Sequence, residues 1–348
     1  VVRVSGATPR RRRVGVIGTF VWDIIHGRDA RGVRSAPVEE WGGITYALSA
    51  ADAALGPDWE LVPLVKVGRD LAHEARRFLG GLRHVARDAA PIEVPQRNNR
   101  VELVYHSDER RSEVLSGGVP GWTWAGLQPL VRDLDALYVN LISGFELDLG
   151  TAQLLRQHFK GPIYCDLHSL VLAVEASGLR TYRPLPEVAA WCACFDLLQV
   201  NEDELAMLAP DGLALAATAM AAGVQNLVVT LGQRGVVYFA EAGFDRLADL
   251  RPSGTSAARD AGTAGAARTA HAGPLRTALV PPSTARVTDA GDPTGCGDVW
   301  GATYFSRLLA GDTLSVALRR ACDAAARNVE HRGASGLAHH LRGELHPL

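Results

Sequence analysis

The stretch that most constrains this chain is Asp289-Ala290-Gly291-Asp292-Pro293-Thr294-Gly295-Cys296-Gly297-Asp298-Val299-Trp300-Gly301. It starts as a loop punctuated by glycine and proline and passes into an apolar run, Val299 to Leu309, that stops at Gly311. Glycine just past the last apolar turn is a helix stop. The stretch therefore predicts a glycine-rich turn, Gly295 to Gly297, at the N-terminus of a helix. The first N–H groups of a helix lack intrahelical acceptors, and the aligned peptide dipoles add positive potential there. Such a turn is an anion site suited to phosphate. Asp298 falls in the first helical turn, where a carboxylate can take the proton of a hydroxyl that attacks the phosphate. The combination predicts phosphoryl transfer to an alcohol, which needs positioning, charge stabilisation and one base. An aspartate in a first turn also complements the dipole for structural reasons alone, and Gly-Cys-Gly also makes an ordinary turn. The stretch is not a P-loop, since no Gly-Lys-Ser/Thr follows the glycines, and it lacks the Gly-x-Gly-x-x-Gly spacing of a dinucleotide fold.

The rest of the chain alternates strands and helices around this turn. Arg13 to Phe20 reads as a buried first strand, with Asp23 shortly past its end. In open α/β sheets ligands bind at strand carboxyl ends, so Asp23 is placed to hold hydroxyls; the same residue also suits a cap or turn. Trp41-Gly42-Gly43 precedes a helix from Ile44 to Leu55 that Gly56 closes. Paired glycines let a backbone approach a ligand closely, or simply make a turn. Leu61 to Val67 is a strand. From Ile92 to Leu115 the pattern changes: Val101, Leu103 and Tyr105 alternate with Glu102 and His106, and charged Asp108 to Arg111 make a turn. That is a hairpin, part of a small exposed sheet. Its Asn98, Asn99 and Arg100 face either a bound acceptor or solvent.

Beyond it, Ala136–Leu141, Ile163–Asp166 and Phe195–Val200 read as strands between the helical stretches Asp148–Phe159 and Pro186–Cys194, which implies a parallel sheet with helices on both faces. His168, just after a strand, is assigned a structural role. Asn201-Glu202-Asp203-Glu204 has the form of a capping box. Asn226 to Leu231 is a strand leading into the turn Thr230-Leu231-Gly232-Gln233-Arg234-Gly235. Glu241 to Gly273 is rich in Ala, Gly, Ser, Thr, Arg and Asp without periodicity and reads as a flexible insert. Thr313 to Glu330 is an amphipathic helix with Asn328 near its end.

Composition excludes several classes of function. With 348 residues, 47% hydrophobic, the chain suits one α/β domain (13–348) behind a tail (1–12) whose Arg10 to Arg13 run is solvated. A formal net charge of −2 gives no electrostatic case for nucleic acid. No apolar run approaches the roughly 18 residues of a membrane span, and no signal peptide is evident. Five scattered cysteines argue for a reducing cytoplasm rather than a disulfide framework. Cys192-Ala-Cys194 is one residue short of Cys-x-x-Cys and has no second pair, which argues against zinc.

Asp292 to Asp298 resembles the C-terminal signature of the ribokinase/PfkB family of sugar and nucleoside kinases, Asp-Thr-Thr-Gly-Ala-Gly-Asp, with Pro293 in place of Thr and Cys296 in place of Ala. The resemblance spans Gly18 to Gly336. It implies a ribokinase-like α/β fold: a central, mainly parallel sheet flanked by helices, with a small β-sheet lid. Residues of approximately 92–115 and short N-terminal segments form that sheet, which in the family is a lid or a clasp for a homodimer. It implies Asp298 as catalytic base and Gly295, Cys296 and Gly297 as the anion hole. Asp23, Gly42 and Gly43 bind a small-molecule sugar or nucleoside, with Arg100 as a further candidate. The family's asparagine four residues after the second glycine is here Ala47, preceded by Tyr46, a departure at the acceptor pocket. ATP and Mg2+ are the implied cofactors: Asn201 and Glu204 organise magnesium-bound water, Thr230, Gly232 and Gly235 lie against the nucleotide, and Asn328 contacts adenine. In some relatives the first Asp of the signature, here Asp292, and a loop corresponding to Gly333–Gly336 hold a monovalent cation such as K+. The reading from another class is a non-catalytic regulator that binds sugar or nucleotide on the same fold.

Overall fold

The computed structural model describes residues 10–26, 37–105, 111–251, 274–285 and 293–344. The chain opens with β1 (Arg12–His26) and β2 (Val38–Gly43), enters α1 (Ile44–Ala54), and continues through β3 (Trp59–Gly68), α2 (Ala72–Gly80), β4 (Ile92–Val94), the hairpin strands β5 (Asn99–Tyr105) and β6 (Arg111–Ser116), and α3 (Trp124–Leu127). There follow β7 (Ala136–Asn140), α4 (Leu149–His158), β8 (Ile163–Asp166), the short pair β9 (Leu172–Val174) and β10 (Arg180–Tyr182), and α5 (Val188–Cys192). The last part holds β11 (Leu197–Asn201), α6 (Glu202–Leu208), α7 (Gly212–Ala222), β12 (Asn226–Thr230), β13 (Val236–Glu241), β14 (Leu275–Val280), α8 (Cys296–Leu309), α9 (Leu314–Val329) and α10 (Leu337–Arg342).

The main sheet runs β14-β13-β12-β11-β8-β7-β1-β3-β4. Its strands from β12 through β4 are parallel, and β13 and β14 add to one edge antiparallel. Such a sheet is buried on both faces, which explains the continuous apolar runs of its strands. One core packs α1, α8 and α9 on one face, around Leu48, Val299, Tyr304, Phe305 and Leu318. The other packs α4, α5 and α7 beneath the opposite face, around Leu137, Leu155, Phe195 and Leu215. The ribokinase-like fold expected from the motifs is the fold observed. Among the described residues no single helix is long and apolar enough to cross a membrane.

β1 belongs to two sheets. Its first half, Arg12 to Thr19, pairs in parallel with β3 and β7. Its second half leaves the main sheet and forms the lid, pairing antiparallel with β2 and parallel with β5, with β6 outside β5. Asp23 therefore lies within the strand, on its lid half, rather than past its end. The strand outruns the expected Phe20 because the burial pattern changes at Val21: both faces are covered before it and only one after it.

Other boundaries also shift. β4 pairs in parallel with β3, so residues 92–94 belong to the edge of the main sheet, while the lid hairpin begins at Asn99. Of the stretch read as an insert, residues 241–251 are packed: Phe244 is buried in the core, the Leu314 amide donates to the Asp245 carbonyl at 2.6 Å, and Leu247 and Leu250 lean on the same core. Residues 252–273 lie outside the described residues, as do residues 1–9 of the tail. The end of the arginine run is tied down: Arg10 pairs with Asp135 at 3.1 Å, Arg12 lies over the Trp59 ring and Arg13 pairs with Asp88 at 2.7 Å. None of the five cysteines, all among the described residues, forms a disulfide.

Candidate active site

The carboxyl ends of the parallel strands meet the N-terminus of α8 under the lid, around a cavity of about 230 Å³. Gly295 caps α8 with φ 76°, a left-handed conformation that costs glycine nothing and other residues about 1–2 kcal/mol. The ring of Tyr46 closes this turn from below: a Cβ on Gly295 would stand 2.3 Å from it. The Cys296 amide donates to the Pro293 carbonyl at 3.1 Å. Gly297, one residue further on, has no backbone acceptor for its amide among the described residues, which leaves that N–H to the cavity. Cys296 thus shapes the turn more than it supplies a donor.

Asp298 is 6% exposed and lines the cavity in the first turn of α8. Asn140, at the end of β7, donates its Nδ2–H to Oδ1 of Asp298 at 2.6 Å. Burial pushes the Asp298 carboxyl up from 3.8 to about 7, and the Asn140 hydrogen bond works against that rise. A carboxylate poised near neutrality is suited to general-base work. Asp166, at the end of β8, and Glu204 line the same cavity. Burial, with the nearby Asp298 charge, raises Asp166 well above the ordinary carboxylate range; burial, with Asp166, does the same to Glu204. Gln199 links the strands to the signature: its Nε2 donates to Asp166 Oδ2 at 3.0 Å and to the Gly297 carbonyl at 3.1 Å, and its Oε1 accepts from the Tyr164 hydroxyl.

At the other end of the cavity, Asp23 lies 7% exposed on the lid half of β1. On β2, Gly42 pairs with Val21, diagonal to Asp23, and a Cβ there would come within 1.7 Å of the Asp23 carboxylate. The paired glycines thus let the carboxylate lie against the backbone. Gly43, at φ 56°, then turns the chain into α1 and lines the cavity. Ala47 is buried beneath, inside the core.

Strand alternation decides which lid residues face inward. Val101 and Leu103 of β5 line the cavity. Arg100, one residue off, points to the other side and pairs with Asp70 at 2.8 Å, so the candidate acceptor role of Arg100 is corrected to a structural ion pair. Asn98 is fully buried and structural: its Oδ1 accepts from the Gly68 amide and its Nδ2 donates to the Phe20 carbonyl. Glu113 of β6 and Arg180 of β10 also line the cavity and stand 3.4 Å apart.

Asn201 and Glu204 form the expected capping box of α6: the Glu204 amide donates to Asn201 Oδ1 at 2.9 Å, and the Asn201 amide donates to Glu204 Oε2 at 2.9 Å. Both also line the cavity, so the structural and ligand-facing readings coexist. Among the described residues no group of three or more His, Cys, Asp or Glu is arranged to hold a metal directly. Thr230 lines the cavity too. Its turn continues through Gly232 (φ 55°) to Gly235 (φ 90°), which backs onto the Val280 carbonyl: a Cβ on Gly235 would come within 2.1 Å of it. Val280, Pro281 and Pro282 in turn wall a second cavity of about 630 Å³, closed on the far side by Val316 and Cys322 of α9. The Thr230–Gly235 turn therefore stands between the two cavities.

Asn328 lies apart from both. It is 1% exposed, and its Nδ2 donates to the Thr294 carbonyl at 2.8 Å and to Cys296 Sγ at 3.3 Å. It holds the signature loop from behind, and its Oδ1 is buried without a hydrogen-bond partner among the described residues; the adenine contact expected of it is not among these contacts. Asp292 lies outside the described residues. Sequence reasoning missed Asn140, Asp166, Gln199, Glu113 and Arg180. Position at the carboxyl ends of parallel strands was the available signal for Asn140 and Asp166; Glu113 and Arg180 carried none.

A glycine turn at a helix N-terminus and a buried carboxyl, brought together at the carboxyl ends of a mainly parallel sheet beneath a β lid, give a ribokinase-like α/β fold. The comparisons agree. The family model for the pfkB family carbohydrate kinases matches residues 175–340, just under half the chain. No curated protein matches the sequence. Among solved structures, the nucleoside kinase of Burkholderia thailandensis in complex with inosine shares 17% identity over 93% of this chain and 94% of its own, with a TM-score of 0.65. Arabidopsis thaliana ribokinase complexed with ribose and ATP shares 16% over 96% and 99%, with a TM-score of 0.60. A pyrophosphate-dependent kinase in the ribokinase family, complexed with a pyrophosphate analog and myo-inositol, shares 16% over 92% and 96%, with a TM-score of 0.65. The chain thus has the ribokinase-like fold, and its C-terminal half carries the match to the pfkB carbohydrate kinases.

Proposed function

We propose that the protein is a cytoplasmic, ATP- and magnesium-dependent kinase that transfers the γ-phosphate to a hydroxyl of a sugar or nucleoside. The observation that carries this reading is Asp298: a buried carboxyl with its pKa near 7, oriented by Asn140, beside the Gly297 amide and in the same cavity as Asp23. A raised carboxyl beside a helix N-terminus that offers an unbonded amide favours the catalytic reading over the non-catalytic alternative.

In this mechanism Asp23 holds acceptor hydroxyls that do not react and presents a primary hydroxyl to Asp298. Asn140 occupies Oδ1 of Asp298, leaving Oδ2 to take the proton as the hydroxyl oxygen attacks the γ-phosphorus. The Gly297 amide and the α8 dipole offset the charge that develops on the transferred group. The donor's phosphates lie along the Thr230–Gly235 turn, and its base occupies the second cavity between Val280–Pro282 and α9. Three carboxyls facing one cavity resist simultaneous ionisation. A hydrated cation fits such a set, and Asp166, Asn201 and Glu204 would hold it through its waters. Held there, magnesium would supply charge that offsets the donor's phosphates. The lid excludes water and limits hydrolysis of the donor. Pairing of two copies through β2, the lid's open edge, and a potassium site involving Asp292 belong to the same proposal.

What the related structures hold supports this reading: inosine in one, ribose with ATP in another, and myo-inositol with a pyrophosphate analog in a third. A screen of pentoses, hexoses, inositols and nucleosides with ATP and Mg2+, read as ADP formed together with a new phosphomonoester, tests it. ADP formation unaffected by every acceptor would count against the kinase assignment.

A further inference from the structure

We infer that the acceptor is a nucleoside, with its base against the apolar inner face of the lid and its ribose hydroxyls on Asp23; this rests on the kinase reading above and narrows its acceptor. The register of the lid fixes the geometry. Asp23 pairs with Val101, and Ile25 with Leu103, so the inward face of β5 runs directly alongside the Asp23 carboxylate. On that face Val101 and Leu103 are 6% and 4% exposed, Val21 precedes Asp23 on the same side of β1, and Ile142 comes in from the loop after β7.

These four side chains offer no hydrogen bond. A free pentose, hexose or inositol carries a hydroxyl on nearly every carbon, and each one buried without a partner costs about 1–3 kcal/mol. Such a wall is matched instead to a ligand with one hydroxylated part and one flat part whose faces are apolar. A ribonucleoside has that construction, and its ribose ends in a primary hydroxyl.

The polar groups at the lid end of the cavity fit the rim of a base. Glu113 and Arg180 lie 3.4 Å apart, on β6 and β10. Arg180 is 4% exposed on its side chain and also donates to the Ile142 carbonyl at 3.1 Å, which fixes the guanidinium beside the apolar wall. A carboxylate that accepts and a guanidinium that donates, side by side, complement a base edge, where N–H donors alternate with ring-nitrogen and carbonyl acceptors. Two carboxylates, Asp23 and Glu113, against one guanidinium also disfavour an acceptor that carries its own carboxylate or phosphate.

The test uses the full-length protein with ATP and Mg2+. Initial rates are measured for inosine, adenosine, guanosine, uridine and cytidine against D-ribose, D-fructose, D-glucose and myo-inositol. At least one nucleoside should exceed every free sugar in kcat/KM by ~100-fold or more, a ratio within reach of losing an apolar group and one or two hydrogen bonds. A free sugar or inositol used as well as the best nucleoside overturns the inference. Calorimetric binding of the same compounds to the protein without donor separates this result from failure of the kinase reading. Nucleoside binding without any transfer would support the inference and refute the kinase assignment; no nucleoside binding would refute the inference whatever the catalytic result. Val101→Thr, which keeps the branched shape but makes the wall polar, should raise nucleoside KM about tenfold while leaving the KM for ATP in place. An unchanged nucleoside KM would remove the lid face from the site.

Discussion

Replacing Asp298 by Asn separates catalysis from stability, because the structure predicts opposite effects on the two. Asp298 is buried and its carboxyl is raised from 3.8 to about 7. A shift of about three units corresponds to roughly 4 kcal/mol, the cost of holding the ionised carboxylate in the fold above pH 7. The sign follows from linkage. The folded pKa lies above the unfolded one, so between about pH 4 and pH 7 the folded state holds a proton that the unfolded state has released. This group therefore contributes falling stability as pH rises through that window and a constant cost above it. Asn does not titrate and can still accept from Asn140. Asp298→Asn should thus be more stable than wild type at pH 8 by up to about 4 kcal/mol, and by little at pH 4. The dipole contribution that Asn forfeits is only about 0.3–1 kcal/mol. Over the same substitution kcat should fall by at least ~10²–10⁴, the span for loss of a general base, while ATP binding persists. Urea unfolding at pH 5, 6, 7 and 8 gives the stability difference, and turnover with a saturating acceptor gives kcat. A variant that binds both substrates and turns over at the wild-type rate, or a stability difference that stays flat with pH, would refute the reasoning.

Other perturbations probe the supports of this carboxyl. Asn140→Leu removes the donor that favours ionised Asp298, so its pKa should climb further and the acidic limb of the kcat–pH profile should move about 1–2 units to higher pH, with the alkaline plateau largely kept; an unmoved limb would deny Asn140 its orienting role. Gly295→Ala drives a methyl into the Tyr46 ring at a left-handed backbone position, so it should cost about 1–3 kcal/mol in unfolding free energy together with most activity, and Tyr46→Ala in the same chain should recover part of the stability. Asp23→Ala should raise KM for the acceptor and spare KM for ATP; equal rises in both would return Asp23 to a structural part. Phe244→Ala should destabilise by about 3–5 kcal/mol in urea, because the ring is buried, whereas a purely flexible insert predicts no change.

The fold and one half of the site were legible because their signals are local. Apolar runs of strand length between helical stretches, the glycine turn before Val299 and the capping box at Asn201 each depend on neighbours a few residues away. The remainder depends on contacts between distant segments. Nothing near Asn140 in sequence announces that its side chain meets Asp298, and their contact exists only once β7 and α8 are docked. Arg100 looked ligand-facing by chemistry, but the period of two turned Val101 inward instead. Asn328 sat at a suggestive place, yet the packing of α9 against the signature loop turned its Nδ2 to the Thr294 carbonyl. Phe244 was masked by the composition around it, since one buried ring leaves no periodicity to read.

The central claim, that Asp298 passes a hydroxyl proton out while phosphate passes in, is tested most directly by single-turnover transfer from γ-labelled ATP to the best acceptor between pH 5 and pH 9. The account predicts label on the acceptor, at a rate that rises about tenfold per unit below pH 7 and levels off above it, as the carboxyl held at about 7 loses its proton. Label released as free phosphate, or transfer at a rate indifferent to pH across that range, would contradict it.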